Sequence, residues 1–300
     1  MSAASERHDP EWLNRAEFPF EPRWWKTPHG TMHYVDEGEG APVVLVHGVP
    51  GWSFHFRHLI RNISSHRRCI ALDHLGFGLS DKPRDWSYSP RDMARNVEGL
   101  IEGLGLKAVV LVVHDWGGPL GLSYALRKSD NVAGLVIFNT WLWSSSGDLR
   151  TRTTTRLLAT GLYRWFDARF AVSARLFPRM ASGRKNPLSA ITRAHFYGPF
   201  RDPTQRSGLL GLVRSTHTAD GWVGTLGERR ETLRGIPSLV VWGTDDPAFP
   251  PRFLDRWRAI LPEANVAELP GAGHYPFEER PTETGELISE FLRDLENPGG

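Results

Sequence analysis

The sequence contains a single cysteine, Cys69, among its 300 residues, which excludes an internal disulfide. Cys69 lies in the apolar run 69–72, so we expect a small buried residue rather than a nucleophile. No stretch reaches the ~18 apolar residues of a membrane-spanning helix. The segment 1–22 also lacks the apolar core of a signal peptide. We therefore expect a cytoplasmic protein.

The chain also carries little net charge. Its 36 lysine and arginine residues nearly balance its 34 acidic residues, leaving a formal charge of +2. This excess is too small to predict binding to nucleic acid or to a membrane, and we expect neither as a partner. Basic residues do cluster in the middle of the chain, and we interpret this cluster as a solvated face. The cluster comprises Arg150, Arg152, Arg156, Arg164, Arg169, Arg175 and Arg179.

Short apolar runs rich in β-branched residues recur along the chain and predict buried parallel strands. Helical periodicity fills the gaps, for example at 93–104 and 287–292. Strands alternating with helices predict an α/β fold, with a mostly parallel sheet covered by helices on both faces. An early segment, about 23–37, alternates like an antiparallel edge hairpin. The predicted parallel strands are 43–48, 68–73, 108–114, 134–140 and 238–243.

The strand signal is absent from the segment 141–234, which is rich in arginine, leucine and serine. Helical runs are predicted within it near 150–178 and 187–196. Because compact domains rarely contain an unstructured loop this long, we predict an inserted helical cap over the carboxyl edge of the sheet. The predicted core then consists of two parts, 1–140 and 235–300.

Asp115 is the first of three distinctive residues at predicted strand ends. It lies between the apolar run 108–114 and a helix that begins with small residues. A sharp strand-to-helix turn, with Gly117 two residues after the nucleophile, matches the nucleophile elbow of hydrolases with aspartate in place of serine. The alternative interpretation is that Asp115 only caps the helix.

Two further strand ends supply an acid and a histidine. The segment 242–250 carries Asp245 and Asp246; the spacing Gly-x-x-Asp-x-x-x-Pro favours Asp246, and Asp245 remains the alternative. His274 lies in the glycine-rich loop 270–276 just before a helix. None of the other histidines has this local pattern. The three residues thus follow the chain order nucleophile, acid, histidine.

These groups can perform a two-step displacement. A desolvated Asp115 carboxylate can displace a leaving group from an sp3 carbon and form an alkyl ester. His274, held by Asp246, then deprotonates a water molecule that attacks the ester carbonyl. We expect the backbone N–H groups of Trp116 and Val49 to form the oxyanion hole. We expect no cofactor and no metal.

Several motifs resemble those of the haloalkane dehalogenases, over nearly the whole chain. The resemblance implies the α/β-hydrolase fold and the hydrolysis of a small apolar halogenated substrate by water, giving alcohol and halide. It also implies that the indole N–H of Trp116 binds the leaving halide, as suits a group that only donates. The motifs are His-Gly-Val-Pro-Gly-Trp (47–52), Asp-His-Leu-Gly-Phe-Gly-Leu-Ser-Asp-Lys-Pro (73–83), Val-His-Asp-Trp-Gly-Gly (113–118), Phe-Tyr-Gly-Pro-Phe (196–200), Gly-Thr-Asp-Asp-Pro (243–247) and Gly-Ala-Gly-His (271–274).

Two positions depart from the family's pattern. The family usually carries a second halide donor, often asparagine, after His-Gly, where this chain has Val49. In one subgroup the acid is a glutamate at the position that Asn139 occupies here, so the acid is expected at Asp246. A tryptophan of the cap could act as the second halide donor. The candidates are Trp141, Trp143 and Trp165.

Other activities on this fold remain open. An epoxide hydrolase uses the same three catalytic residues together with cap tyrosines, and Tyr163 and Tyr197 are available. Against it, Val113 stands where epoxide hydrolases tend to have glycine. A serine esterase would need Ser123, which lies inside a predicted helix. A non-catalytic binding protein would predict a disrupted triad, whereas this triad is complete.

Overall fold

A single sheet forms the centre of the protein. The computed structural model describes residues 8–145, 153, 156–157, 160–183 and 187–297. The strands are β1 (Arg23–Thr27), β2 (Gly30–Glu37), β3 (Pro42–Val46), β4 (Arg68–Leu72), β5 (Val109–His114), β6 (Val132–Phe138), β7 (Ser238–Gly243) and β8 (Asn265–Leu269). Their order in the sheet is β1-β2-β4-β3-β5-β6-β7-β8. The β1–β2 and β2–β4 pairs are antiparallel and the remaining pairs are parallel.

The strands show how far apolar runs predict a sheet. All five predicted parallel strands are present, and the predicted hairpin forms β1 and β2. Strands β5 and β7 are buried at every position, which explains their continuous apolar sequences. Strand β8 escaped prediction because it is an edge strand with mostly exposed side chains and the mixed sequence Asn-Val-Ala-Glu-Leu. The predicted α/β fold is confirmed.

Helices cover both faces of the sheet. Alternate residues of β5 point in opposite directions, so Leu111 and Val113 belong to one buried cluster, and Val110 and Val112 to the other. The first cluster is completed by α2 (Pro90–Gly103), α3 (Gly117–Ala125) and α8 (Pro251–Ile260). The second is completed by α1 (Arg57–Ile63), α9 (Pro276–Glu279) and α10 (Pro281–Glu296).

Helices also occupy the segment between β6 and β7. They are α4 (Gly161–Phe170), α5 (Val172–Ala181), α6 (Ala190–Tyr197) and α7 (Ser207–Glu228). The helical runs predicted near 150–178 and 187–196 correspond to α4, α5 and α6, although 146–152 lie outside the described residues. The described residues between β6 and β7 form no strand. The domain boundaries at 140 and 234 stay a prediction.

Helix α7 was not predicted because its glycines give it low intrinsic helix propensity. Two of them allow close contact with the core. A Cβ at Gly208 would lie 2.6 Å from the Cα of Gly76, and one at Gly211 would lie 2.6 Å from the Cβ of Tyr88. Gly221, by contrast, would meet no atom within 4 Å. Packing against the core therefore stabilises a helix that its sequence alone does not favour.

The contact at Gly208 predicts opposite effects of alanine at two sites in α7. Gly208→Ala should lower the free energy of unfolding by about 1–3 kcal/mol, because the new methyl group overlaps the backbone of Gly76. Gly221→Ala should raise it by up to about 1 kcal/mol through helix propensity. Urea denaturation followed by circular dichroism measures both changes. Equal effects of the two substitutions would contradict the close contact.

Candidate active site

Asp115 occupies a sharp turn between β5 and α3. Its φ of +50° lies in the left-handed region, which is uncommon for a residue other than glycine. The following glycines let the turn pack between neighbouring strand ends. A Cβ at Gly117 would lie 2.0 Å from the carbonyl oxygen of Val46, and one at Gly118 would lie 1.9 Å from Oγ1 of Thr140. The turn has the strand–turn–helix geometry of a nucleophile elbow.

The side chain of Asp115 contacts the loop after β3. Its Oδ2 accepts a hydrogen bond of 2.8 Å from the backbone N–H of Val49, and the backbone N–H of Trp116 also bonds to this carboxylate. A Cβ at Gly48 would lie 2.3 Å from Oδ2, so only glycine fits there. Helix α3 begins without a side-chain cap, which argues against the capping interpretation.

Burial sets the protonation behaviour of this carboxylate. Asp115 is only 7% exposed, and burial raises its pKa above the ordinary value because the charged form is desolvated. His274 and the two backbone N–H groups act in the opposite direction. The result is a carboxylate with little water around it, the condition under which its oxygen becomes a useful nucleophile.

His274 and Asp246 form a buried pair. The Nδ1 atom of His274 lies 2.8 Å from Oδ2 of Asp246, and both side chains are fully buried. The backbone N–H of Ala248 donates to the other carboxylate oxygen at 2.7 Å. Because a carboxylate only accepts, Nδ1 carries a proton, so that in the neutral ring Nε2 has a free lone pair. No described residue bonds to Nε2.

Asn139 fixes the acid in place. Its side-chain N–H group donates to Oδ2 of Asp246 at 2.9 Å, and its amide exchanges two hydrogen bonds with the backbone of Gly243. The side chain of Asp245 is exposed and pairs with Thr244. The structure therefore brings Asp246, not Asp245, to His274. The sequence drew attention to Asn139 only as a departure from the family, without showing this bridging position.

The pKa of His274 depends on both nearby aspartates. Burial alone lowers it, but the carboxylates of Asp246 and Asp115 outweigh burial and the pKa is raised above its ordinary value. The imidazolium form is thus stabilised while both carboxylates are charged. Neutralising either aspartate would make His274 a neutral base at a lower pH.

Four further buried histidines lie in or beside the loops of the site. His47 bonds to the carbonyl of Gly48 at 2.7 Å, and its Nε2 accepts from the backbone N–H of His74 at 3.0 Å. His114 Nε2 lies 2.8 Å from the carbonyl oxygen of His274. The fourth is His55, stacked on an aromatic ring. Burial lowers the pKa of each, so all four are neutral at pH 7.

A chain of aromatic side chains connects Trp116 with His274. The Trp116 ring meets Trp141 edge-on at 4.9 Å, Trp141 stacks on Phe249 at 5.4 Å, and Phe249 stacks on His274 at 5.5 Å. Phe177 of α5 meets His274 edge-on at 5.2 Å. Among the described residues, none accepts a hydrogen bond from the indole N–H of Trp116. The site therefore combines an apolar surface with an available donor.

Only one of the three candidate cap tryptophans lies beside Trp116. That residue is Trp141; Trp143 packs instead against Trp257 and Phe253. Trp165 lies on the outside of α4 and is 58% exposed. A second donor from this set, if used, would have to be Trp141.

The residues that the alternative activities would use have other contacts in the structure. The hydroxyl of Tyr197 accepts a hydrogen bond from Arg175, and Ser173 bonds to Tyr163. Ser123 lies inside α3 and donates to a backbone carbonyl of the same helix. Cys69 is buried, and burial raises the pKa of its thiol to about 12, as expected for a non-nucleophile. The described residues contain no group of three or more side chains suited to a metal ion.

Comparisons with known proteins agree with this geometry. Residues 41–281 match the family model of the alpha/beta hydrolase fold. Haloalkane dehalogenase 2 of Mycobacterium tuberculosis is 34% identical over 277 residues, covering 91% of this chain and 95% of the relative. A cis-3-alkyl-4-alkyloxetan-2-one decarboxylase of Shewanella oneidensis is 32% identical, covering 93% and 90%. The crystal structure of haloalkane dehalogenase DbeA from Bradyrhizobium elkani superposes with a TM-score of 0.84 at 25% identity, covering 93% and 100%.

The two carboxylates around His274 predict how its pKa responds to substitution. Asp115→Asn and Asp246→Asn should each lower it, because each removes a negative charge that stabilises the imidazolium. Asp245→Asn is the matched control and should leave it unchanged. Titration of the imidazole by NMR measures all three. A greater decrease in the Asp245 variant than in the Asp246 variant would reassign the acid.

Proposed function

Because this chain belongs to the haloalkane dehalogenase family of the α/β-hydrolase fold, we propose that it hydrolyses carbon–halogen bonds through an alkyl ester of Asp115. The observation that supports this most directly is the buried Asp115 carboxylate, held by two backbone N–H groups beside the free indole N–H of Trp116. Nucleophile and leaving-group donor are thus adjacent in the chain and face an apolar site.

In the first step, an Asp115 oxygen attacks the carbon that bears the halogen. The new carbon–oxygen bond forms as the carbon–halogen bond breaks, and the halide leaves with the bonding electrons. The indole N–H of Trp116 donates a hydrogen bond to the developing anion and stabilises it. This hydrogen bond is stronger in the dry, aromatic surroundings than it would be in water. No base takes part in this step.

The second step hydrolyses the ester. Alkylation makes Asp115 neutral and so removes one of the three carboxylate charges, those of Asp246, Asp115 and Glu279, that raise the pKa of His274; this lowers the pKa and favours the neutral base. Its free Nε2 then removes a proton from water, which attacks the ester carbonyl. The N–H groups of Val49 and Trp116 donate to the oxyanion that forms on the carbonyl oxygen of the ester, and the departing alkoxy oxygen takes a proton from the His274 imidazolium. Collapse of this intermediate releases the alcohol and restores the carboxylate.

Decarboxylation of a strained lactone is a second candidate function. The specific observation is the side chain of Val49, which offers no donor where a second halide ligand usually stands. The Shewanella relative, similar over nearly the whole chain, acts by its name on cis-3-alkyl-4-alkyloxetan-2-ones. In a haloalkane, a second donor lowers the barrier to breaking the carbon–halogen bond. In the lactone, ring strain would lower the barrier to ring opening, so no second donor would be needed.

The same nucleophile can begin that reaction. Asp115 would attack ring carbon 4, and the ring carbon–oxygen bond would break to leave a carboxylate on carbon 3. Loss of carbon dioxide would then supply the electron pair of the alkene while the bond from carbon 4 to the aspartate oxygen breaks. This sequence needs neither water nor a base, so it would not require His274.

The epoxide hydrolase alternative is less well supported. Such an enzyme needs tyrosine hydroxyls that donate to the epoxide oxygen. Here the hydroxyl of Tyr197 accepts from Arg175, whose guanidinium lies 4.2 Å from the ring centre of the same tyrosine, and its own proton stays free to donate. The feature that counts against this activity is Val113, which stands where epoxide hydrolases tend to have glycine. We therefore keep diol formation as an outcome to be measured.

Replacing the base should trap the proposed intermediate. His274→Gln should lose at least about a thousandfold in turnover of a bromoalkane, since ester hydrolysis requires the base. Mass spectrometry should then find the protein plus the alkyl group of the substrate. The Asp115→Asn variant is the control and should form no adduct. If the His274→Gln variant lost its turnover and no adduct accumulated on the protein, the two-step scheme would be contradicted.

Three substrates distinguish the candidate functions. The wild-type protein is incubated with a 1-bromoalkane, a cis-3,4-dialkyloxetan-2-one and styrene oxide, and halide, alkene and diol are measured. We expect kcat/KM for halide release to exceed that for the other products by about a hundredfold, equivalent to about 2.7 kcal/mol of barrier. Alkene formation without halide release would assign the decarboxylation, and the His274→Gln variant should then still form alkene. Diol as the main product would assign the epoxide hydrolase.

A further inference from the structure

Helix α4 presents an apolar stripe to the solvent. Leu162, Trp165, Phe166 and Phe170 lie on one face of the helix at helical spacing and are 42–69% exposed. Asp167, on a neighbouring face of the helix, is fully buried and bonds to Ser173. A helix on the surface of a soluble domain normally shows the reverse arrangement. The outward apolar face therefore needs a partner.

The exposed apolar residues are concentrated on one part of the protein. Among the described residues, Val266 is the one large exposed hydrophobic side chain outside the segment 141–234. Three rings of α4 form a cluster, with Trp165 edge-on to Phe166 and to Phe170. The others are Leu157, Leu162, Leu176, Met180 and Ile191. We call Leu162, Trp165, Phe166, Phe170, Leu176 and Met180 the outer patch.

The helices that carry the outer patch also carry exposed arginines, in a segment that is basic as a whole. The segment 141–234 contains 16 lysine and arginine residues and 6 acidic residues, whereas the rest of the chain contains 20 and 28. The near-neutral total thus conceals a basic cap and an acidic core. Arg164 and Arg169 of α4 and Arg179 of α5 are exposed, and no carboxylate among the described residues pairs with them. These cations are available to an anionic partner.

We propose that the outer patch docks on the surface of an anionic lipid bilayer. Apolar rings flanked by exposed arginines are complementary to a lipid interface with negative headgroups, where tryptophan is especially favourable. No helix in the described part of the chain is long and apolar enough to cross a membrane, so α4 would lie in the plane of the interface. The sequence suggested a solvated basic face; the exposure of Trp165 and its neighbours changes that interpretation.

Docking would place the bilayer next to the active site. Helix α5 exposes Leu176 and Met180 on the outer side, while Phe177 contacts the ring of His274. The carbonyl of Ala181, the last residue of α5, also accepts from the backbone N–H of His274 at 2.8 Å. One helix separates the outer patch from the catalytic histidine. An apolar substrate dissolved in lipid would have a short path to the site; this consequence, unlike docking itself, rests on the proposed function.

Sedimentation with vesicles tests the proposal. Wild-type protein is mixed with vesicles of phosphatidylcholine alone or of equal parts phosphatidylcholine and phosphatidylglycerol. We expect binding to the mixed vesicles that is at least about tenfold stronger than to the neutral ones and that weakens with added salt. The double variants Trp165→Gln/Phe166→Gln and Arg164→Gln/Arg169→Gln should each bind the mixed vesicles about tenfold more weakly.

Matched variants outside the cap serve as controls. Val266→Gln and the pair Arg91→Gln/Arg293→Gln remove an exposed apolar residue and two exposed cations, and they should bind like wild type. Brominated lipid should quench wild-type tryptophan fluorescence, and Trp165→Phe should retain binding but lose most of this quenching. Circular dichroism and bromoalkane turnover in solution confirm that each variant is folded, independently of lipid.

Three results would overturn docking on lipid. The first is wild-type protein that fails to sediment with the mixed vesicles. The second is equal loss of binding in the patch variants and in the controls. The third is a wild-type dimer, dispersed by Trp165→Gln/Phe166→Gln, that shows no affinity for vesicles; this would assign the outer patch to a second copy of the chain.

Discussion

Desolvation of the Asp115 carboxylate is the constraint on which the site depends. A buried charge is costly unless hydrogen bonds and nearby charge compensate it. Here the compensation comes from the backbone N–H groups of Val49 and Trp116 and from His274. The close approach of the chain at Gly48 and Gly117 follows from it, since any side chain there would overlap the carboxylate or the adjoining strand. The environment of the Asp115 carboxylate is thus set by the packing of the backbone around it.

The second requirement is a rigid acid–histidine pair. Asn139, at the end of β6, ties Asp246 to the end of β7 through three hydrogen bonds, one to Asp246 and two with the backbone of Gly243. Helix α5 holds the other side of the histidine through Ala181 and Phe177. His274 is therefore held from two sides, by Asp246 after β7, which also raises its pKa, and by α5.

The sequence predicted those features that a local pattern determines. Buried strands such as β5 are continuous apolar runs, and the elbow at Asp115 follows directly from a strand and two glycines. The edge strand β8 and the glycine-rich α7 were missed because tertiary contacts, not local propensity, stabilise them. The bridging position of Asn139 and the outward face of α4 depend on orientation in three dimensions, which no spacing shows.

The buried neutral histidines behind the site make the fold sensitive to acid. Because burial depresses the pKa of His47, His55, His74 and His114 in the folded chain, only the unfolded chain takes up their protons just below pH 6.5. Each contributes stability that is present above that pH and lost as the pH falls, at up to about 1.4 kcal/mol per pH unit. Mildly acidic surroundings would therefore lower the free energy of unfolding through these four histidines, which lie behind the site and take no part in the proposed reaction.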